Sequence, residues 1–172
     1  WNPEGKLFTA TIALTEVERV CNLPDGQTFM MAIKNVLPDD KSVQVIKFVA
    51  ESSADDTSAF DPNYNWKMPT NAKYKIIDAT DTTPKTLEIH TTAEVFMFNT
   101  SCYGMFDGNY SVPNELAEIT TIDFNNCINT SNVTNMAEMF QACGKLTSLD
   151  LSSFKFKNDV DVKDMFFWTG KA

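Results

Sequence analysis

"TSNVTNMAEMFQACGKLTSLDLSSF", Thr130 to Phe154, decides how this chain is read, because its apolar residues fit neither one continuous helix nor one continuous strand. Leu146, Leu149 and Leu151 take the spacing L-x-x-L-x-L. The last two lie on one face of a short strand, the first turns the chain inward as it enters, and Asp150 points to the opposite, outer face. Upstream, Val133, Met136, Met139 and Phe140 stand at helical offsets, which predicts a short helical turn closing over the same core. Asn, Ser and Thr supply the turns and caps between these pieces.

The pattern occurs twice. Ile119, Ile122 and Phe124 coincide with Leu146, Leu149 and Leu151 at a shift of 27 residues, which also carries Cys127 onto Phe154 and Val133 onto Val160. After one deleted residue the shift is 26, and Met136, Met139 and Phe140 fall on Val162, Met165 and Phe166. An earlier "SCYGMF", Ser101 to Phe106, ends in a Met105-Phe106 pair that stands 34 residues before Met139-Phe140. The segment Asp107 to Glu115 then reads as an insertion on an irregular first unit. Periods of this size predict a stacked array in which neighbouring units bury one another's apolar faces.

The run from Ile119 to Phe166, and above all Thr130 to Phe154, resembles the repeat of the BspA-type leucine-rich-repeat surface proteins of bacteria and some protozoa. Their units read approximately as L-T-S-L-D-L-S-x-F-x-T-S-N-V-T-x-M-x-x-M-F. "VFMFNTSCYGMF", Val95 to Phe106, is similar to the segment that precedes the first such repeat, while "KFKNDVDV", Lys155 to Val162, departs from the pattern. The resemblance implies adhesion to host proteins, matrix or other cells, with recognition on the outer strand face.

The residues before the repeats read as a cap. Phe8, Ala10, Ile12 and Leu14 alternate as a strand. Asp25 is an N-cap for a helix that presents Phe29, Ile33, Val36 and Leu37 on one side and stops at Pro38. Ser42 to Ala50 reads as another strand, and the polar stretch from Glu51 to Asn71 as a long loop. "KYKIIDA", "KTLEIHT" and "AEVFMFN" predict a small antiparallel meander leading into the repeats, since a stack of units needs a cover for its first apolar face. A sheet continuous with the repeat strands is one form this cap can take.

Composition narrows the function classes. The 172 residues are 43% apolar, enough for a real core. With 14 Lys and Arg against 23 Asp and Glu, the net charge is −9, and no stretch gathers the basic residues that phosphate contacts require. No window approaches the roughly 20 apolar residues needed to cross a bilayer. The chain starts at Trp1 without a signal-peptide pattern, so the expectation is an excised or processed piece of something longer. Cys21, Cys102, Cys127 and Cys143 form no C-x-x-C pair and are too scattered for a disulfide framework, so they read as buried thiols.

Catalytic equipment is sparse in the sequence. His90 is the only histidine and Arg19 the only arginine, and His90 reads as a half-exposed strand residue with no nucleophile beside it. Asp55, Asp56 and Asp61 form an acidic loop lacking the spacing of a calcium hand, and read as solvated. Asp123 and Asp150, one unit apart, would stand about 5 Å apart on neighbouring strands, but repetition alone explains the alignment. Tyr64, Trp66 and Tyr110 read first as aromatics packed across their own loops, with stacking on sugars or gripping a protein as the functional alternative, and Met136, Met139 and Met165 as core fillers. The sequons at Asn99, Asn109, Asn129 and Asn132 matter only in a host that glycosylates secreted proteins.

These readings combine into an α+β expectation: an N-terminal β-rich capping region with a short helix at residues 1–94, leading into a short leucine-rich-repeat-like solenoid at 95–172, built of parallel strands and short helical turns. The expected function is a non-enzymatic, extracellular, cell-surface or secreted recognition and adhesion module. Its partner would be a protein or glycan on host or neighbouring cells, with no cofactor, metal, nucleic acid or membrane insertion. An ancillary glycan-binding or spacer domain of a larger secreted protein or enzyme is the alternative. The expected binding residues are Thr121, Asp123, Ser148 and Asp150 with Tyr64 and Trp66. After Met165-Phe166 the pattern calls for another strand, but only "FWTGKA" follows, so the expectation is either further repeats in the native protein or end-to-end pairing with a second copy, centred on the Leu146 to Leu151 strand or on Phe166 to Trp168.

Overall fold

A computed structural model describes residues 19–37, 41–63, 67–108 and 115–170. In chain order the elements are β1 (Val20–Asn22), α1 (Gly26–Val36), β2 (Val45–Val49), β3 (Ser58–Ala59), β4 (Ala72–Ile77), β5 (Thr86–Thr91), β6 (Val95–Met97), a 3-10 turn (Glu115–Glu118), β7 (Thr121–Asp123), β8 (Ile128–Asn129) and β9 (Ser148–Leu149). The strands form two sheets, one of order β1-β6-β8 and one of order β3-β4-β5-β2-β7-β9. The predicted strand at Lys6 to Leu14 lies outside the described residues.

Period-two alternation sets which side of the larger sheet is core. Ile76, Leu87, Ile46, Ile122 and Leu149 stand in one register row across five strands and face inward. The smaller sheet contributes its own row of Cys21, Phe96 and Ile128. The sheets meet through aromatic rings: Phe48 of β2 lies edge-on to Phe96 of β6 at 5.2 Å. Each such fully buried ring contributes about 3 to 5 kcal/mol by comparison with its truncation to alanine.

The helix forms where its cap residue predicts. Asp25 Oδ1 accepts the Thr28 N–H at 3.1 Å, and Phe29 and Ile33 face the core, with Phe29 stacked on Phe48 at 6.1 Å. Gly26 lets the first turn settle on the backbone of Cys102 and Tyr103. A β-carbon there would come within 2.5 Å of the Tyr103 carbonyl oxygen, a distance that only displacement of the chain could relieve.

The paired register of the two repeat units is present. β7 and β9 are adjacent and parallel, with Ile122 opposite Leu149. The turn segments stack as the 34- and 26-residue shifts require, so that Phe106, Phe140 and Phe166 form a column of near-parallel rings at 5.5 and 5.6 Å. Backbone N–H groups of one turn donate to the next: Phe106 to Met139 O at 2.8 Å, and Phe140 to Met165 O at 2.9 Å.

The expected architecture is nevertheless corrected. The chain is a mixed α/β fold with two sheets and, among the described residues, one α-helix, and not an amino-terminal cap followed by a leucine-rich-repeat solenoid. β2 lies inside the larger sheet, parallel to both β5 and β7, while β3, β4 and β5 are antiparallel neighbours in the same sheet. The expected meander is broken after β5, because β6 leaves for the smaller sheet and pairs in parallel with β1 and β8.

The expected helical turns are absent from Val133 to Phe140. Glu138 adopts φ 56°, in the left-handed region, and Gly104 and Asp164 do so at the equivalent places of the neighbouring turns, at 59° and 54°. A left-handed residue ends any right-handed helix, and it turns the N–H groups toward the next unit. Apolar residues at offsets of three and four satisfy this stacked turn as well as they satisfy a helix, which is why periodicity misassigned it.

Candidate functional site

The outward face of the larger sheet is polar for the same reason that its inner face is apolar. Lys75, Glu88, Lys47 and Asp123 form a register row across β4, β5, β2 and β7, so cation and anion alternate from strand to strand. Lys47 Nζ lies 3.5 Å from Glu88 Oε1, and Lys75 pairs with Asp56 from the loop after β2. Thr121 and Ser148 face the same way in the next row.

At the β7-β9 end this face is hollowed into a concavity of about 250 Å³, walled by Thr121, Asp123, Asn125, Asn126, Ser148 and Asp150. Four of the six residues expected to bind are thus brought together. The other two, Tyr64 and Trp66, lie outside the described residues, as does Tyr110. Asn125 and Asn126, which the sequence reading passed over, form the rim because both are left-handed, with φ of 47° and 52°. An Asn-Asn pair directly after a strand was the available signal, since Asn tolerates that conformation.

The two aspartates also have a local structural role. Asp123 Oδ1 accepts the Asn125 N–H and Asp150 Oδ1 accepts the Ser152 N–H, each at 2.8 Å. These bonds, from the Ser152 backbone first and its side chain second, hold the Asp150 carboxyl below the ordinary range. Thr120 and Thr147 tie the strand starts together, their hydroxyls donating to Gln44 O at 3.1 Å and Thr120 O at 3.2 Å. The hollow is therefore a rigid, acidic, hydroxyl-rich surface whose shape is set by backbone hydrogen bonds.

The other end of the same sheet holds an arrangement that the sequence reading missed. His90 is buried, at 6% exposure, and not half-exposed on its strand. Its Nδ1 lies 2.7 Å from Ser52 Oγ and its Nε2 lies 3.0 Å from Glu88 Oε2. Parallel pairing of β2 with β5 brings Ser52, just beyond β2, beside a histidine 38 residues away. Ser52 and His90 line a cavity of about 270 Å³ together with Thr57, Thr70, Asn71 and Lys73.

Asp55, Asp56 and Asp61 are not gathered into a ligand set. Asp56 is held by Lys75, which lowers its carboxyl pKa through a side-chain hydrogen bond, and Asp61 Oδ1 accepts the Asn63 N–H at 2.8 Å. Among the described residues no three His, Cys, Asp or Glu side chains converge as a metal site would require. The four cysteines are buried and not joined by disulfides, in line with the buried-thiol reading. Among the described residues no helix is long and apolar enough to cross a membrane.

Comparison with known proteins places one segment. Residues 114–171, about a third of the chain, match the family model described as "Mycoplasma protein of unknown function, DUF285". No curated protein and no solved structure matches significantly. The matched segment contains β7, β8 and β9, and with them the whole wall of the β7-β9 concavity.

Proposed function

We propose that this chain is an extracellular surface recognition module that binds a protein or glycan on a host or neighbouring cell through the outer face of β7 and β9. The observation that carries the proposal is the convergence of Thr121, Asp123, Ser148 and Asp150 on one concavity outside the core. Their side chains contribute nothing to the apolar row behind them, so substitutions here that keep the acceptors for the Asn125 and Ser152 N–H groups leave the fold fixed. The proposal assigns no catalytic step to it.

Two further observations support the reading. The repeat from Thr130 to Phe154 resembles that of the BspA-type surface proteins, and the family match over 114–171 is in keeping with a bacterial surface protein. The polar, hydroxyl-rich wall suits hydrogen bonding to a partner more than burial of an apolar one.

A second copy of the chain is a further proposed partner. β9 ends the six-stranded sheet, and Phe156, Val162, Phe166, Phe167 and Trp168 are exposed apolar residues of the same carboxyl-terminal segment. Phe167 and Trp168 stack on one another at 5.0 Å with about half of each surface in water. Among the described residues no strand pairs with the outer edge of β9, and such an edge beside exposed rings favours edge-to-edge association.

The test of surface recognition is saturable binding of the fluorescently labelled chain to intact mammalian cells, to protease-shaved cells and to glycosidase-treated cells. Binding lost on shaving identifies a protein partner, and binding lost on glycosidase treatment identifies a glycan. Absence of saturable binding to all three would sink the proposal.

A further inference from the structure

The Ser52-His90-Glu88 line stands apart from the β7-β9 concavity and is not needed for recognition there. A buried histidine whose two nitrogens are both engaged, one by a hydroxyl and one by a carboxylate, has its tautomer set by those partners. In the neutral ring, with Glu88 as an accepting carboxylate, the Glu88 side, Nε2, carries the proton. Nδ1 is then a bare acceptor 2.7 Å from Ser52 Oγ, and the hydroxyl proton lies between them. Lys47 occupies the other oxygen of Glu88, at 3.5 Å.

We propose that Ser52 is a nucleophile activated by His90, and that this cavity hydrolyses a short-chain ester of a polar alcohol. Three features support it: a base within hydrogen-bond reach of the hydroxyl, a carboxylate orienting that base, and an adjoining cavity that the hydroxyl and the imidazole both line. The imidazole is used the opposite way round from the familiar serine hydrolases, with Nδ1 toward the hydroxyl. The chemistry asks only that one nitrogen be free to accept while the other N–H is held.

The reaction balances with water as its only co-reactant. Ser52 Oγ attacks the ester carbonyl carbon while its proton passes to His90 Nδ1. The tetrahedral intermediate collapses, the carbon–oxygen bond to the alcohol breaks, and the leaving oxygen takes the proton from Nδ1. Water, deprotonated by the same nitrogen, attacks the acyl-serine, releasing the carboxylic acid and restoring the hydroxyl. Lys73, opposite His90 in the β4-β5 ladder and part of the cavity wall, supplies positive charge for the oxyanion. The wall of Asp55, Thr57, Thr70 and Asn71 is polar, which suits a short acyl group on a polar alcohol more than a long apolar chain. Glu88 is a positioning residue, since it reaches the reaction only through the ring.

The experiment treats the full chain with a fluorophosphonate and measures p-nitrophenyl acetate hydrolysis. The expected result is one adduct, mapped by mass spectrometry to Ser52, and hydrolysis that falls roughly 100-fold in His90→Gln. Ser52→Ala should lose both adduct and hydrolysis. Glu88→Gln should lower kcat with KM little changed and move the pH profile, and Glu88→Asp should restore part of the rate. A merely structural line would instead lower the urea midpoint in these variants and leave the parent unlabelled. An unlabelled parent overturns the proposal, as does hydrolysis that persists in folded Ser52→Ala. Cell binding by Ser52→Ala should equal that of the parent, so failure here and failure of the recognition reading are separately visible.

Discussion

Left-handed residues recur at the same place in each stacked turn, and the cost differs with the side chain that occupies them. Gly104 has room for a β-carbon, whose nearest neighbour would be 3.8 Å away, so Gly104→Ala tests conformation alone. It should lower stability by about 1 kcal/mol. Ala142, at φ 52°, carries the left-handed strain that glycine avoids at Gly104, and Ala142→Gly should raise stability by roughly 0.5 kcal/mol after the extra freedom of the unfolded chain is subtracted. Urea melts of the two variants check both signs. The alignment of Met105 with Met139 and Met165 was legible in the sequence, but the handedness was not, because Glu138 and Asp164 stand where the first unit has glycine. The Ser52-His90 pair was illegible for a different reason: nothing local links two residues that only strand pairing brings together.

The buried thiols make a second residue-scale prediction. Burial pushes Cys102 and Cys143 from an ordinary 9.0 up to about 12. The folded state therefore keeps protons that the unfolded chain sheds first. This contribution to stability is intact below about pH 9 and is lost as pH rises toward 12, so the urea midpoint should fall over that window. Iodoacetamide at neutral pH should leave the native chain unmodified and alkylate it in urea. Rapid alkylation of the native chain would contradict the burial.

Among the elements, those fixed by local chemistry were the most legible. Asp25 and the apolar face that follows it specify α1, and the alternation of Val45 to Val49 specifies β2. β6 was misplaced because its three residues fit either sheet equally well, and only the pairing of Phe96 with Cys21 and Ile128 decides between them. The prediction at this scale contrasts the two faces of the repeat elements. Phe140, fully buried between Phe106 and Phe166, should cost about 3 to 5 kcal/mol as Phe140→Ala. Asp123→Asn keeps an oxygen for the Asn125 N–H and should change stability by under about 0.5 kcal/mol. Chemical denaturation that ranked them in reverse would mean that the faces are inverted.

For the whole molecule, the repeat announced the parallel pairing of β7 and β9 correctly, yet the architecture as a whole was not readable from it. The amino-terminal strands are not a lid: β2 is a central strand, and it could be placed only by knowing that Val45 faces both Thr86 and Thr121. The exposed rings at Phe167 and Trp168 predict association at this scale. Sedimentation velocity should show a concentration-dependent dimer that the double variant Phe167→Lys, Trp168→Ser abolishes. A parent that remains monomeric at high concentration would show that the edge of β9 needs no partner.

The recognition face is tested most directly by a single comparison of the parent with the quadruple variant Thr121→Ala, Asp123→Asn, Ser148→Ala, Asp150→Asn. Labelled protein is titrated onto intact mammalian cells, with urea melts run alongside. The account predicts saturable binding by the parent, a loss of at least roughly tenfold in affinity for the variant, equivalent to about 1.4 kcal/mol, and melts that superimpose. Equal binding by the two folded proteins would contradict it.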